Sequence, residues 1–204
     1  MKPLVDDGAL VIGLDSSEAM IERARASLAG SDSSRFELEV ADFVHWPSAG
    51  GVFDLVYSPY HTLSHLMDWR LWEELFVNVF DHLRPGGRFA FSAAVPVESD
   101  IVNRNWTSMG QLDFEGLSAE VRTRLNQNWS ERTSSIEVKG LVEGDGETVE
   151  VGRWTFDLRL APEVEIKELA LRSGFVVETC SGSYEEANAP RVVEQVWVLA
   201  RPAA

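Results

Sequence analysis

The chain has 204 residues, enough for one domain with a sizeable core, and 45% of them are hydrophobic, including seven Trp, as in a globular protein. Thirty-three Asp and Glu against 18 Lys and Arg leave a formal net charge of −15. That balance argues against nucleic-acid and anionic-membrane partners, both of which need a basic face. The single cysteine, Cys180, rules out an intramolecular disulfide and a Cys-based zinc site, and the four His (45, 61, 65 and 82) lack metal-ligand spacing, so no metal is expected.

Residues 9–14 (ALVIGL) form an apolar run too short for a signal peptide or a membrane span, so a cytoplasmic protein is expected. The run reads as a strand buried on both faces of a parallel sheet, and it ends in Asp15. Ser16 and Ser17 can cap the next helix, whose apolar face carries Met20, Ile21, Ala24 and Leu28 before Gly30 stops it. Residues 36–40 alternate as a strand, and Ala41, Asp42 and Phe43 open a loop. The loop has room for a short helix over 45–49. Residues 52–57 are a further buried strand.

Asp68 caps a strong amphipathic helix whose stripe is Trp69, Trp72, Leu75, Phe76, Val79, Phe80 and Leu83. Residues 84–87 (RPGG) predict a tight turn into a strand over 88–93. Through residue 94 the order is strand, helix, strand, strand, helix, strand, the rhythm of an open parallel α/β sheet. Residues 95–160 differ: 136–139 and 148–156 alternate about a turn at 143–146, an antiparallel hairpin signal. Leu117, Val121 and Leu125 are spaced for a short helix. Pro162 opens a helix ended by Gly174, and strands over 175–180 and 195–200 complete the chain.

Asp15 stands at the carboxyl end of a strand and directly before a helix, where an acid accepts ribose hydroxyl bonds in nucleotide-binding α/β folds. A helix-cap carboxylate is the alternative. Asp42, opening its loop, can accept a bond from an adenine amino group or simply form a turn.

In combination these blocks resemble class I S-adenosylmethionine-dependent methyltransferases along nearly the whole chain. VIGLDSSEAMIERAR (11–25) is similar to their second strand and following helix, and VADF (40–43) to their adenine-contacting loop. FDLVYSPYHTLSHL (53–66) is similar to the fourth strand and the active-site loop; LRPGGRF (83–89) and RSGF (172–175) resemble later landmarks. The resemblance implies an open, doubly wound, mostly parallel Rossmann-like sheet formed by residues 1–94 and 161–204. The 95–160 insert would cover it as a small antiparallel β lid. S-adenosyl-L-methionine is the implied cofactor, with Asp15 and Ser16 at the ribose, Met20 against the adenine or its helix, and Ala41, Asp42 and Phe43 around the adenine. Ser58 would lie near the methionine part, and Tyr60, His61 and His65 would face the transferring methyl or the substrate. Met20 also reads as core, and His65 as a structural, hydrogen-bonded histidine. His61 is the better base, with Tyr60 beside it. Trp106, Trp129 and Trp154 of the lid read as substrate-pocket walls or as the lid's own core.

One departure matters. Residues 1–8 show no strand ending in a glycine-rich turn, the element that lets backbone approach the methionine end of the cofactor. In the family that strand lies between the second and fourth, so the sheet is expected to have a gap, with the start of this sequence internal to a longer reading frame. The gap would close up, be filled by a partner chain or a homodimer, or leave a poorly folded fragment. Two functions are implied: methyl transfer to a small molecule, impaired in this shortened chain, or the role of a non-catalytic pseudoenzyme or accessory subunit. A nicotinamide oxidoreductase shares the strand-then-Asp feature but lacks a Tyr-x-x-x-Lys pair.

Overall fold

The computed structural model describes residues 1–46, 52–94, 105–114, 117–144, 147–182 and 194–203. Two compact units, Met1–Gly50 and Gly51–Ala204, make up the chain.

In the first unit, α1 (Lys2–Asp6) precedes β1 (Val11–Asp15), α2 (Glu18–Ser27), a 3₁₀ turn (Ser33–Arg35) and β2 (Phe36–Val40). The two strands pair in parallel, from Val11 opposite Phe36 to Asp15 opposite Val40. Ser17, not Ser16, is the N-cap of α2, its hydroxyl accepting the Met20 N–H at 3.4 Å. Val5, Ile21, Leu28 and Val44 are buried. The expectation of a strand buried on both faces fails here: Leu10 is 80% and Ile12 45% exposed. The physical reason is that β1 pairs on one edge only among the described residues. The expected 45–49 helix does not begin at His45 or Trp46, and residues 47–49 lie outside the described residues.

The second unit contains two four-stranded sheets. One comprises β3 (Phe53–Ser58), β4 (Leu83–Ala94), β9 (Val176–Ser181) and β10 (Glu194–Ala200), in the order β3-β4-β10-β9. β3 and β4 are parallel, whereas β10 is antiparallel to both its neighbours. The α/β expectation is met with sheets of mixed direction. β3 is an edge strand, so the expected burial of 52–57 is only partial, with Leu55 and Tyr57 about half exposed.

Helix α3 (Trp69–His82) connects β3 to β4, and α4 (Glu163–Arg172) precedes β9. Asp68 caps α3 through the Arg70 N–H at 3.0 Å, as its sequence predicts. The α3 stripe buries Trp72, Leu75, Phe76 and Val79, while Leu83 is already the first residue of β4. Phe76 lies edge-on to Phe89, Phe91 and Phe175 at centroid distances of 5.5, 5.6 and 6.1 Å, an arrangement favoured by the ring quadrupoles. Phe91 stacks in turn on Trp197.

Residues 84–87 do not form a separate turn. They lie within β4 as an irregularity, between the Phe53–Leu83 and Leu55–Arg88 pairs. The Gly86 N–H donates to the Arg201 carbonyl and the Arg201 N–H to that of Gly87, both at 2.9 Å, which draws the excursion onto the chain after β10. Gly87 is obligatory for this packing: a Cβ there would stand 2.9 Å from the Arg84 oxygen and 3.0 Å from the Phe53 oxygen.

The second sheet has β5 (Thr107–Phe114), β6 (Leu117–Asn128), β7 (Thr133–Gly144) and β8 (Glu147–Arg159) in sequential antiparallel order. The predicted hairpin is its β7–β8 pair. The short helix expected from Leu117, Val121 and Leu125 is instead strand β6. A four-residue spacing keeps side chains on one face of a helix and of a strand alike, and pairing with β5 and β7 decides the outcome. No helix among the described residues is long and apolar enough to cross a membrane.

Candidate active site

Asp15 and Asp42 close the same end of the β1–β2 pair, because Ala41 follows β2 and donates its N–H to the Asp15 carbonyl at 3.0 Å. Asp15 Oδ1 accepts the Ser17 N–H at 2.8 Å, the cap-type bond of the alternative reading. No described residue donates to its Oδ2, so the carboxylate keeps acceptor capacity. Asp42 Oδ1 accepts the Val44 N–H at 2.8 Å, and Oδ2 meets His45 Nδ1 at 3.1 Å. The Val44 amide first and His45 second hold the Asp42 carboxyl below the usual carboxylate range. His45, three residues after Asp42, is thus a partner of the acid that was not among the expected site residues.

Phe43 is half-buried and Ser16 exposed. Met20 is 49% exposed, which removes its reading as a core residue and leaves its side chain as accessible apolar surface. Two acids at adjacent parallel strand ends, with Met20 and Phe43 in the same unit, fit the ribose and adenine half of an adenosyl cofactor. Residues 1–8, which form α1 and its exit, contain no glycine turn suited to the methionine half.

In the second unit the parallel strand β3 ends at the half-buried Ser58. The loop after it passes through Tyr60 (φ 55°) and His61 (φ 58°), two consecutive left-handed residues that are not glycine. Such a backbone costs about 1–2 kcal/mol per residue, and strain of this kind persists where surrounding bonds over-determine it. The Thr62 hydroxyl donates to the Pro59 carbonyl at 2.7 Å, and the Ser64 N–H to the His61 carbonyl at 2.8 Å. Tyr60 is left 90% exposed.

A 3₁₀ turn (Thr62–His65) comes next. The His65 ring tilts against Phe156 of β8 with centroids 5.5 Å apart, so an aromatic contact takes the place of the expected hydrogen bond, although its outer edge stays exposed. Phe156 is not among the expected site residues, although its alternation with Trp154 along 148–156 puts both on one face. Desolvation chiefly, and the His61 charge next, lower the His65 pKa. A lowered folded-state value means that stability is fully present above the unfolded value near 6.5 and is lost as pH falls through the folded one. Thermal melts from pH 8 to 5 should therefore show a smaller acid loss in His65→Phe than in the wild type; equal losses would contradict the assignment.

Trp106, Trp129 and Trp154, expected as substrate-pocket walls or the insert's own core, do not converge. Trp106 lies under cations, with Lys139, Arg124 and Arg153 at 4.3, 5.1 and 5.3 Å from its centroid. Lys139 pairs with Arg153, and the preceding residue, Val138, pairs with Trp154, so Trp106 and Trp154 belong to opposite faces. Trp129 is 43% exposed in the β6–β7 connection. Trp154 alone shares the face of Phe156, about 7 Å along the strand from it. That face also carries Ile136 and Leu158, which pack with Ala94 and Leu160.

The fold is that of methyltransferase-type α/β proteins. Residues 1–87 match the family model described as a methyltransferase domain. CcbJ methyltransferase from Streptomyces caelestis superposes with a TM-score of 0.78 at 22% identity, over 99% of this chain and 78% of that one. An S-adenosylmethionine-dependent methyltransferase from Clostridium acetobutylicum gives 0.74 at 14% identity, over 98% and 78%. An amino pentose methyltransferase from Micromonospora echinaspora, bound to its cofactor, gives 0.72 at 18%, over 94% and 73%. No curated protein sequence matches this one. The resemblance to class I S-adenosylmethionine-dependent methyltransferases is borne out in the domain and in the fold.

Proposed function

We propose that this chain carries out S-adenosylmethionine-dependent methyl transfer to a small-molecule nucleophile. The reading rests on one observation above the rest: in a chain matching a methyltransferase domain, Asp15 and Asp42 sit together at the carboxyl end of adjacent parallel strands. Asp15 and Ser16 would receive the ribose hydroxyls, and Asp42, Ala41, Phe43 and Met20 the adenine. When bound, the cofactor supplies an electrophilic methyl on a sulfonium, whose carbon–sulfur bond breaks toward sulfur as the acceptor's lone pair forms the new bond.

The remaining chemistry belongs to the loop after β3. Ser58 would lie near the methionine part. His61 would take the proton released by the acceptor, and Tyr60 would orient that acceptor. His65, whose pKa is lowered chiefly by desolvation, and Trp154 would contribute substrate wall. An amine on a sugar scaffold is the first acceptor class to try, given the amino pentose enzyme among the structural neighbours.

Calorimetric titration with S-adenosylhomocysteine tests this reading. Micromolar binding supports it. Absence of binding in a chain that melts cooperatively would replace it with the pseudoenzyme or accessory-subunit reading. That alternative draws on the cap-type bond already made by Asp15.

A further inference from the structure

The strained Tyr60–His61 pair is fastened to strand β4 by two serines acting in opposite directions. Ser92, on β4, is fully buried, and its hydroxyl accepts the His61 backbone N–H at 3.0 Å. Ser64, within the loop and equally buried, accepts the Ala94 backbone N–H of β4 at 3.0 Å. One bond thus runs from loop backbone to strand side chain, and the other from strand backbone to loop side chain. They bracket the 3₁₀ turn that begins directly after the two left-handed residues.

We infer that Ser92 and Ser64 form a reciprocal latch that holds Tyr60 and His61 in their left-handed conformation, making both serines positioning residues for the reactive loop. Left-handed backbone at two adjacent side-chain-bearing residues is unfavourable in isolation, so something local must select it. The His61 amide is the group whose direction φ sets, and Ser92 is the acceptor that captures it. Ser64 then fixes the far end of the turn, so that the loop cannot relax by sliding along β4. Neither serine touches reacting atoms. The geometric part of the inference is independent of the methyltransferase reading, whereas its catalytic consequence rests on that reading.

The test uses the full chain with Ser92→Ala, Ser92→Thr and Ser64→Ala. In Ser92→Ala, amide exchange at His61 should accelerate about tenfold, the loss of one ordinary net hydrogen bond, while exchange at Ala94 stays within about threefold. Ser64→Ala should give the converse pattern. Ser92→Thr keeps the hydroxyl and should restore His61 protection together with the positive-φ coupling signature at Tyr60 and His61. General destabilisation would speed both amides together, and that result, or unchanged His61 exchange in Ser92→Ala, overturns the latch.

With D-glucosamine as the acceptor probe, Ser92→Ala should lower kcat about tenfold and leave the KM for S-adenosylmethionine within about twofold. Equal kcat in wild type and variant overturns the positioning role. If the wild type binds no S-adenosylhomocysteine and methylates no glucosamine, the functional reading fails, and the exchange pattern alone decides the latch.

Discussion

Phe76→Ala is expected to lower the unfolding free energy by about 3–5 kcal/mol, the range for truncating a fully buried aromatic residue. Phe76 has no exposed surface and meets Phe89, Phe91 and Phe175 edge-on, so removing its ring takes away contacts with the helix–sheet interface on several sides at once. Those partners belong to strands and helix ends fixed by backbone bonding, so the site has little freedom to collapse. Urea denaturation at unchanged slope is the measurement. Val77, the next residue on α3, is 54% exposed, and Val77→Ala should change stability by no more than about 0.5 kcal/mol. A Phe76→Ala loss below about 1 kcal/mol would mean that the aromatic cluster does not hold the unit together.

Asp15→Asn is expected to weaken S-adenosylhomocysteine binding by roughly 10- to 100-fold, the effect of losing a charge-assisted bond worth about 1.5–3 kcal/mol. The substitution separates the two readings of Asp15. Asparagine keeps an oxygen that can accept the Ser17 N–H, so the turn into α2 is preserved, while the charge that would hold the ribose hydroxyls is removed. A melting temperature close to wild type with a large affinity loss therefore identifies a ligand carboxylate. Unchanged affinity would identify a helix-cap residue and remove the strand-end pair from the site.

Particular residues show how much of this was legible in advance. The α3 stripe was readable because Trp72, Leu75, Phe76 and Val79 recur at a spacing that only a helix places on one side, and the Asp68 cap marked its start. Strand β6 was not, since 117, 121 and 125 share a face under either period. The β7–β8 hairpin was legible from alternation, although alternation could not say which face would meet the rest of the unit. Asp15, Asp42, Tyr60 and His61 stood out by type and place. Ser92 and Phe156 did not, because each acts on a residue far away in the chain: Ser92 lies 31 positions from His61.

The sequence by itself determined the strands and helices outside the 95–160 insert, the acids that end β1 and come after β2, and the resemblance those blocks carry, because local periodicity and short motifs are properties of neighbouring residues. Only the tertiary structure decided that Leu10, Ile12, Leu55 and Tyr57 stay exposed, that Trp106 and Trp154 lie on opposite faces, and that two buried serines bond between β4 and the loop after β3. Each of these depends on which strands pair and which edges are left open, and pairing is settled by contacts between residues distant in the chain.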